Sequence, residues 1–275
     1  MGARWDTDPA ALSGDLKILD RIIDPQACPL DDPAFIADCR RHLDEAGVVT
    51  IPGFLRQRAV ADLVAEAESA APEAFFTSST HNVYLTPPDP ALPADHVFNR
   101  QITSSKGCIT TDQVPAGSGL HAIYDSATFR AFIAAIVGET ALHEYADPLS
   151  SINVHYAAAG QELGWHFDNS SFAVTLLLQA PESGGEFQYV RDLRDADSND
   201  LNFAGVEAVL DGERTPDILE VVPGTLVLFR GRNSMHRVTP TIGRRTRILV
   251  VLAYNTEPGI ALSQAARMTF YGRLG

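Results

Sequence analysis

Apolar residues in the first half of the chain recur at helical spacing in three places. Residues 33–46 follow an acidic cap with proline at the first helical position, and Gly47 ends the pattern. Residues 59–70 and 126–137 carry apolar stripes of the same spacing. The pattern therefore predicts three amphipathic helices.

The segments around these helices have other patterns. Residues 16–23 carry alternating apolar residues and predict a first short strand, and residues 48–51 predict another. Residues 75–93 are rich in Ser, Thr, Asn and Pro, which predicts a long loop that is either a lid over a binding site or a surface excursion. Residues 1–14 have no clear pattern and predict a flexible tail.

From residue 148 onward the pattern changes to short β-branched or aromatic runs separated by Gly and Pro. Helices followed by consecutive strands favour an α+β fold with an antiparallel barrel or sandwich. Residues 192–217 are polar, acidic and without period, so we predict an insertion between two strands. The predicted strands are residues 151–157, 172–179, 186–190, 218–222, 225–229 and 246–254.

The composition and charge of the chain argue against several classes of protein. A net charge of −14 argues against a nucleic-acid partner or an anionic membrane surface. The three cysteines lack Cys-x-x-Cys spacing, which argues against a disulfide framework or a structural zinc site and favours a reducing compartment. No stretch has the apolar length of a signal peptide or a membrane helix, so we expect a soluble cytoplasmic protein.

The candidate chemistry lies in one segment around His166 and a second around His236. His166 and Asp168 are two residues apart, so both side chains leave an extended segment on the same face. With His236 from a distant strand they make up a 2-His-1-carboxylate triad, which holds Fe(II) and leaves coordination positions open. The alternatives are a hydrogen-bonded His-Asp pair in a turn and an ordinary loop histidine.

The surrounding segments resemble a known superfamily. Residues 151–254 resemble the double-stranded β-helix (jelly-roll) core of the Fe(II)/2-oxoglutarate-dependent dioxygenases, and residues 47–55 resemble its entry segment. The resemblance implies a jelly-roll core with N-terminal helices packed on one sheet. The matching segments are His166-Phe167-Asp168, Thr175-Leu176-Leu177-Leu178-Gln179, Gly184-Gly185-Glu186-Phe187, residues 223–229, His236-Arg237-Val238 and Arg247-Ile248-Leu249.

A narrower resemblance concerns a bacterial group that acts on free amino acids and includes hydroxylases and radical halogenases. It rests on residues 165–170, on Gly184-Gly185-Glu186-Phe187 and on Phe270-Tyr271-Gly272-Arg273. In the halogenases a small residue takes the carboxylate position and opens a halide site. Because this chain keeps Asp168, the resemblance implies hydroxylation of an unactivated C–H bond of an amino acid or derivative, with release of succinate and CO2. Desaturation or cyclisation by the same iron chemistry is the alternative.

The resemblance also implies the co-substrates, which are 2-oxoglutarate and O2 beside Fe(II). It places an arginine for the distal carboxylate of 2-oxoglutarate about eleven residues beyond the distal histidine. Arg247 fits that position best, and Arg245 is the competitor. Thr225 or Thr175 could supply a hydroxyl to the same carboxylate, and the alternative is that both are ordinary strand threonines.

Three further residues are candidates by position. Asn153 and His155 share one face of a predicted strand, where they would contact co-substrate or substrate, or form a satisfied polar pair in the core. Asn169 directly follows the metal carboxylate and is expected to touch the substrate. Trp165 and Phe167 are expected to hold the strand by packing.

Two rival functions remain open. One is a zinc-dependent hydrolase that uses the same three ligands with water as the fourth. In such an enzyme the downstream arginine would have no role. The other is a non-catalytic jelly-roll module that binds a small molecule. In each case we expect one domain over residues 1–275, with an N-terminal elaboration at 15–147, a core at 148–257 and a C-terminal segment at 258–275.

Overall fold

The fold combines helices with antiparallel sheets. The computed structural model describes residues 16–275, so the predicted tail lies outside the described residues. The helices are α1 (Pro33–Ala46), α2 (Gln57–Ala70), α3 (Gly119–Tyr124), α4 (Ala127–Val137), α5 (Phe203–Leu210) and α6 (Gln264–Tyr271). The strands are β1 (Val48–Ile51), β2 (Phe75–His81), β3 (Ile102–Ile109), β4 (Ile152–Ala157), β5 (Leu163–His166), β6 (Ala173–Gln179), β7 (Ser183–Gly184), β8 (Phe187–Val190), β9 (Asp217–Leu219), β10 (Leu226–Phe229), β11 (Met235–Val238), β12 (Thr241–Ile242) and β13 (Arg247–Leu252).

Two larger sheets organise these strands. Seven strands form one sheet in the order β1-β10-β6-β13-β4-β3-β2, and four form the other in the order β5-β11-β8-β9. β12 and β7 form a third sheet of two strands. Neighbouring strands are antiparallel throughout both larger sheets. The mixture of helices and sheets confirms the predicted α+β class.

The helix boundaries follow from their capping residues. The Asp32 carboxylate accepts a hydrogen bond from the Ala34 N–H at 2.8 Å, and Pro33 occupies the first turn of α1. Gly47 ends this helix in the left-handed conformation, with φ +73°. α4 begins in the same way after Ser126, whose hydroxyl accepts from the Phe129 N–H. The three predicted helices are therefore confirmed.

The large sheet has one face in the core and the other in a cavity. Along β13, Ile248 and Val250 join the core that α1, α2 and α4 cover. Arg247, Leu249 and Val251 alternate with them and line the cavity. This period of two places a charged residue at the cavity while its neighbours remain in an apolar core.

The predicted strand over residues 16–23 is wrong. Backbone hydrogen bonds run from the Asp20 N–H to the Leu16 carbonyl at 2.8 Å and from the Ile23 N–H to the Leu19 carbonyl at 2.7 Å. These are the bonds of a helical turn. Leu19 and Ile23, four residues apart, are both buried on its inner side, so the four-residue spacing outweighs the alternation.

The predicted loop over residues 75–93 is wrong for its first part. β2 occupies residues 75–81 and pairs along its length with β3, which the sequence analysis did not predict. β2 is the edge of the large sheet, where one face and one edge meet solvent, and so its polar composition does not prevent pairing.

Three helices were also not predicted, namely α3, α5 and α6. α5 lies within the insertion of residues 192–217, which does join two strands, β8 and β9. α6 lies near the carboxyl terminus and packs on β2 and β3. Among the described residues, no helix combines the length and the apolar character needed to cross a membrane.

Candidate metal centre and cavity

The three predicted ligands converge at one point. His166 ends β5, His236 lies opposite it in β11, and Asp168 follows two residues after the strand. The Asp168 Oδ1 lies 3.5 Å from the Nε2 atom of each histidine. Within residues 16–275 these three residues are the only group of three or more metal-ligating side chains that comes together in this way.

Hydrogen bonds orient both imidazoles. Nδ1 of His166 lies 2.8 Å from the Gly164 carbonyl oxygen, and Nδ1 of His236 lies 2.9 Å from that of Ser234. A carbonyl oxygen only accepts, so each Nδ1 carries the proton and each Nε2 presents a lone pair to Asp168. This is how metal-binding histidines are held in proteins.

The donor set fits a divalent metal ion. Two imidazole lone pairs and a carboxylate oxygen that face one another repel unless a cation or a proton lies between them. Ligand atoms held about 2.1 Å from one ion lie at most about 4.2 Å apart, and the two 3.5 Å separations satisfy that limit. Two histidines and one carboxylate are the ligands of non-haem Fe(II) sites.

The electrostatics agree with an ionised carboxylate and a neutral histidine. Burial alone would raise the pKa of Asp168, but His236 and His166 outweigh it and hold that pKa below its usual range. Burial, followed by the neighbouring His236, lowers the pKa of His166. An ionised carboxylate and a neutral imidazole are the protonation states in which these groups bind a metal ion.

A close backbone approach holds Asp168 in place. The Asp168 N–H donates to the Gly231 carbonyl at 3.1 Å. Its Oδ2 is buried and has no hydrogen-bond partner among the described residues. A Cβ at position 231 would overlap that oxygen, so glycine is required there.

Aromatic packing supports the loop that carries Asp168. Tyr84 stacks on Phe167 with ring centroids 5.6 Å apart, and the Arg194 guanidinium lies 4.2 Å from the centre of the Phe167 ring. Arg194 also donates to the Asp168 carbonyl at 3.4 Å. On the other side, the Arg237 guanidinium lies 4.7 Å from the centre of the Trp165 ring. Trp165 and Phe167 thus act by packing, and the insertion that carries Arg194 contacts the metal loop.

A cavity of about 340 Å³ lies between the two larger sheets, and the triad forms part of its wall. Its apolar side includes Leu163, Phe187, Phe229 and Leu249. The residues of the insertion at 192–217 do not line it. Such a cavity accommodates small molecules and excludes most water.

Arg247 lies in this cavity and Arg245 does not. The side chain of Arg247 makes no hydrogen bond or ion pair with any residue of the described chain, and burial lowers its pKa to about 10, so it remains charged at neutral pH. Arg245 lies before β13 on an exposed surface and donates to the Pro181 carbonyl at 3.4 Å. The buried guanidinium is thus available to an anionic ligand.

The remaining candidates lie in different places. His155 and Thr175 line the cavity. Asn153 is buried beside it, where its amide donates to a backbone carbonyl and accepts from the Tyr271 hydroxyl at 2.9 Å. Thr225 is buried in the turn before β10, and Asn169 is exposed beyond the triad. The structure brings neither of these two side chains into the cavity.

Sequence reasoning missed the polar wall of the cavity. Thr77 and Ser79 from β2 and Ser104 and Lys106 from β3 all line it. These positions alternate along two antiparallel strands, so a period of two was the available signal. The sequence analysis did not use this signal, because it predicted a loop over residues 75–93.

The fold and the triad define a member of the Fe(II)/2-oxoglutarate-dependent oxygenase superfamily. The chain belongs to the Halogenase D family, whose model matches residues 97–269, more than half of the chain. The predicted superfamily is confirmed. The predicted enzyme class and the predicted cofactors Fe(II) and 2-oxoglutarate agree with this family and with the His-Asp-His site.

Solved structures share the fold at low identity. The non-heme alpha ketoglutarate dependent carbocyclase SnoK from nogalamycin biosynthesis is 13% identical, with a TM-score of 0.57 over 84% of this chain and 89% of that one. The epimerase SnoN from the same biosynthesis is 15% identical, with a TM-score of 0.56 over 81% and 84%. A 2OG-Fe(II) oxygenase family oxidoreductase from Burkholderia pseudomallei is 17% identical, with a TM-score of 0.50 over 82% and 92%. Among curated proteins, none matches this chain.

Proposed function

We propose that this protein is a hydroxylase that inserts oxygen into an unactivated C–H bond of a small molecule, either an amino acid or an amino acid derivative. In this proposal 2-oxoglutarate is converted to succinate and CO2. The observation that carries it is the presence, in one cavity, of a convergent His-Asp-His triad and an unpartnered guanidinium, Arg247. We also infer that the strands from β4 to β13 form the double-stranded β-helix of a single catalytic domain.

The residues of the cavity have three different roles in this proposal. His166, Asp168 and His236 hold the iron, and Arg247 binds the distal carboxylate of 2-oxoglutarate with its planar fork. Bound iron with 2-oxoglutarate and O2 supplies the oxidising power for the C–H bond. Apolar side chains such as Phe187 and Leu249 keep water away from the reacting carbon.

Asp168 favours hydroxylation over halogenation. A halide at the metal requires a coordination position that a carboxylate does not fill. Asp168 Oδ1 lies 3.5 Å from both ligand nitrogens and therefore occupies that position. The family is named for a halogenase, and this carboxylate is the reason to assign a different outcome to this chain.

The test is anaerobic addition of Fe(II) and 2-oxoglutarate to the purified protein. We expect the weak visible absorption of the iron–2-oxoglutarate chelate, followed by succinate when O2 is admitted. A zinc hydrolase or a binding module would give neither signal. A panel of amino acids and derivatives, screened for stimulation of succinate release and for products heavier by one oxygen atom, then tests the substrate class.

A further inference from the structure

A second buried cation lies in the cavity. Lys106 projects inward from β3, and its Nζ lies 3.0 Å and 3.2 Å from the two ring nitrogens of His155. No carboxylate of the described residues lies within 4.0 Å of this ammonium group, whereas the exposed arginines of the chain commonly have such partners. Lys106 therefore faces the cavity without a counter-ion.

His155 does not neutralise this charge. Burial, then Lys106, then Arg247 hold the pKa of His155 well below its usual range, so the imidazole is neutral. A neutral imidazole offers one lone pair, and an ammonium group has three N–H donors. At least two donors of Lys106 are left for a ligand. Burial lowers the pKa of Lys106. Because a bound anion would favour the charged ammonium group, an anion is the ligand that these donors favour.

The 2-oxoglutarate already assigned to Arg247 does not account for Lys106. That co-substrate has two carboxylates, one for the metal and one for Arg247. In the sheet, β4 lies between β13 and β3, and Arg247 pairs with Ala157 of β4. Two strand spacings, about 10 Å, therefore separate the backbones that carry the two cations. Both cations act on His155 and so share one region of the cavity, and Lys106 is a second positive charge there, beyond the one that binds the distal carboxylate.

Residues with hydroxyl groups share the cavity face of the sheet with Lys106. Thr77 is the cross-strand partner of Lys106, and Ser79 is the partner of Ser104 two residues away on the same face. One ammonium group with nearby hydroxyls suits a carboxylate, whose two oxygens accept from both kinds of donor. The cavity of about 340 Å³ also limits the ligand to a small molecule.

We propose that Lys106 binds a carboxylate of the substrate and so selects substrates in which that group is free and ionised. The hydroxyl of Thr77 completes the subsite, and His155 holds the ammonium group in place. The inference rests on the proposed function, since it concerns a substrate of the same cavity. It adds a specificity-determining residue on β3, remote from the metal ligands in sequence.

The test compares carboxylates with their amides. Free amino acids and the matching carboxamides are titrated against wild-type protein, Lys106→Met and Lys106→Gln, with succinate release as one readout. Calorimetric titration into the anaerobic Fe(II)–2-oxoglutarate protein is the other. Lys17→Met is the matched control, because Lys17 is the only other lysine and is exposed. Two replacements are used so that one poorly folded variant does not decide the result.

For wild-type protein we expect an amino acid to stimulate succinate release and its carboxamide to be at least about tenfold less effective. Both Lys106 variants should raise the half-saturating concentration of the acid at least about tenfold and bring the ratio of acid to amide close to one. Their requirement for 2-oxoglutarate and their chelate absorption should stay at the wild-type level. Lys17→Met should behave as wild type.

Three results would overturn the inference. Equal stimulation by acid and amide would show that no carboxylate is selected. A raised 2-oxoglutarate requirement in the Lys106 variants would assign Lys106 to the co-substrate instead. A wild-type protein that forms the chelate but responds to no acid would also reject a carboxylate subsite. Failure of the wild-type protein to form the chelate would reject the proposed function itself, so the two failures are distinguishable.

Discussion

His166 and His236 are direct cross-strand partners on antiparallel β5 and β11, and their ring centroids lie 4.2 Å apart. A slip of one residue in either strand would move one imidazole to the opposite face. The register of this strand pair therefore determines whether the metal site exists. Phe229 and Phe187 contact the His236 ring from two sides, at 4.9 Å and 5.5 Å between centroids, and help to fix its orientation.

Replacement of one ligand histidine should abolish iron binding. We expect His236→Ala to lower the affinity for Fe(II) at least about 100-fold, because removal even of an outer hydrogen-bond partner of a metal ligand costs 10- to 100-fold. Succinate release should fall with it. Iron content after dialysis and anaerobic titration are the measurements. His42→Ala, on the exposed side of α1, is the control and should retain the metal. Full iron content in His236→Ala would refute the ligand assignment.

Replacement of the carboxylate should change the reaction. We expect Asp168→Gly to lose hydroxylation and to leave a coordination position open to halide. The measurement is product mass in the presence of chloride or bromide, with succinate release followed in parallel. Unchanged hydroxylation by this variant would mean that Asp168 is not a ligand, whatever its position in the cavity.

Gly231 provides a subtler test of the same site. Gly231→Ala places a methyl group against Asp168 Oδ2 and should displace the carboxylate. We expect affinity for Fe(II) to fall about 10- to 100-fold while the protein stays folded. Gly117→Ala is the matched control, because a Cβ there meets no atom within 4 Å. Equal affinity for Fe(II) in the two variants would show that the Asp168 carboxylate can shift without weakening metal binding.

Short-range spacing indicated the pairing of His166 with Asp168, whereas His236 and Arg247 were placed by the resemblance to the oxygenase superfamily. His166 and Asp168 share a face by their spacing, and Arg247 lies on the cavity side of β13 by alternation with core residues. Thr225 shows the limit of that reasoning. It has the same parity as Val227, which lines the cavity, yet it lies in the turn before β10, where alternation no longer applies.

Residues whose environment depends on distant pairing were not predictable. Asn153 has the parity of His155, but the Tyr271 hydroxyl from α6 satisfies its amide, and no local pattern indicates that contact. Lys106 follows a period of two along β3, but its neighbour His155 is set by the pairing of β3 with β4. Pairing between segments about 50 residues apart leaves no signal in either segment alone.

The role of Arg247 is tested by the requirement for co-substrate. Charge-assisted hydrogen bonds contribute about 1.5–3 kcal/mol each, so Arg247→Met should raise the half-saturating concentration of 2-oxoglutarate on the order of 100-fold or more. Binding of Fe(II) alone should stay at the wild-type level. Arg245→Met, outside the cavity, is the control. A larger effect from Arg245→Met than from Arg247→Met would reverse the assignment.

The carboxyl-terminal helix should control access of substrate. Thr269 and Phe270 of α6 line the cavity, and Arg273 anchors the end of this helix to both carboxylate oxygens of Asp112, at 2.7 Å and 2.8 Å. This pair is partly exposed and contributes about 1 kcal/mol, so Arg273→Ala should lower Tm by about 2 °C. Because the wall of the cavity loosens, KM for the substrate should rise several-fold while the iron–2-oxoglutarate absorption stays unchanged. Arg58→Ala, with a side chain 93% exposed, is the control. A rise in the 2-oxoglutarate requirement with an unchanged substrate KM would place α6 against the co-substrate rather than the substrate.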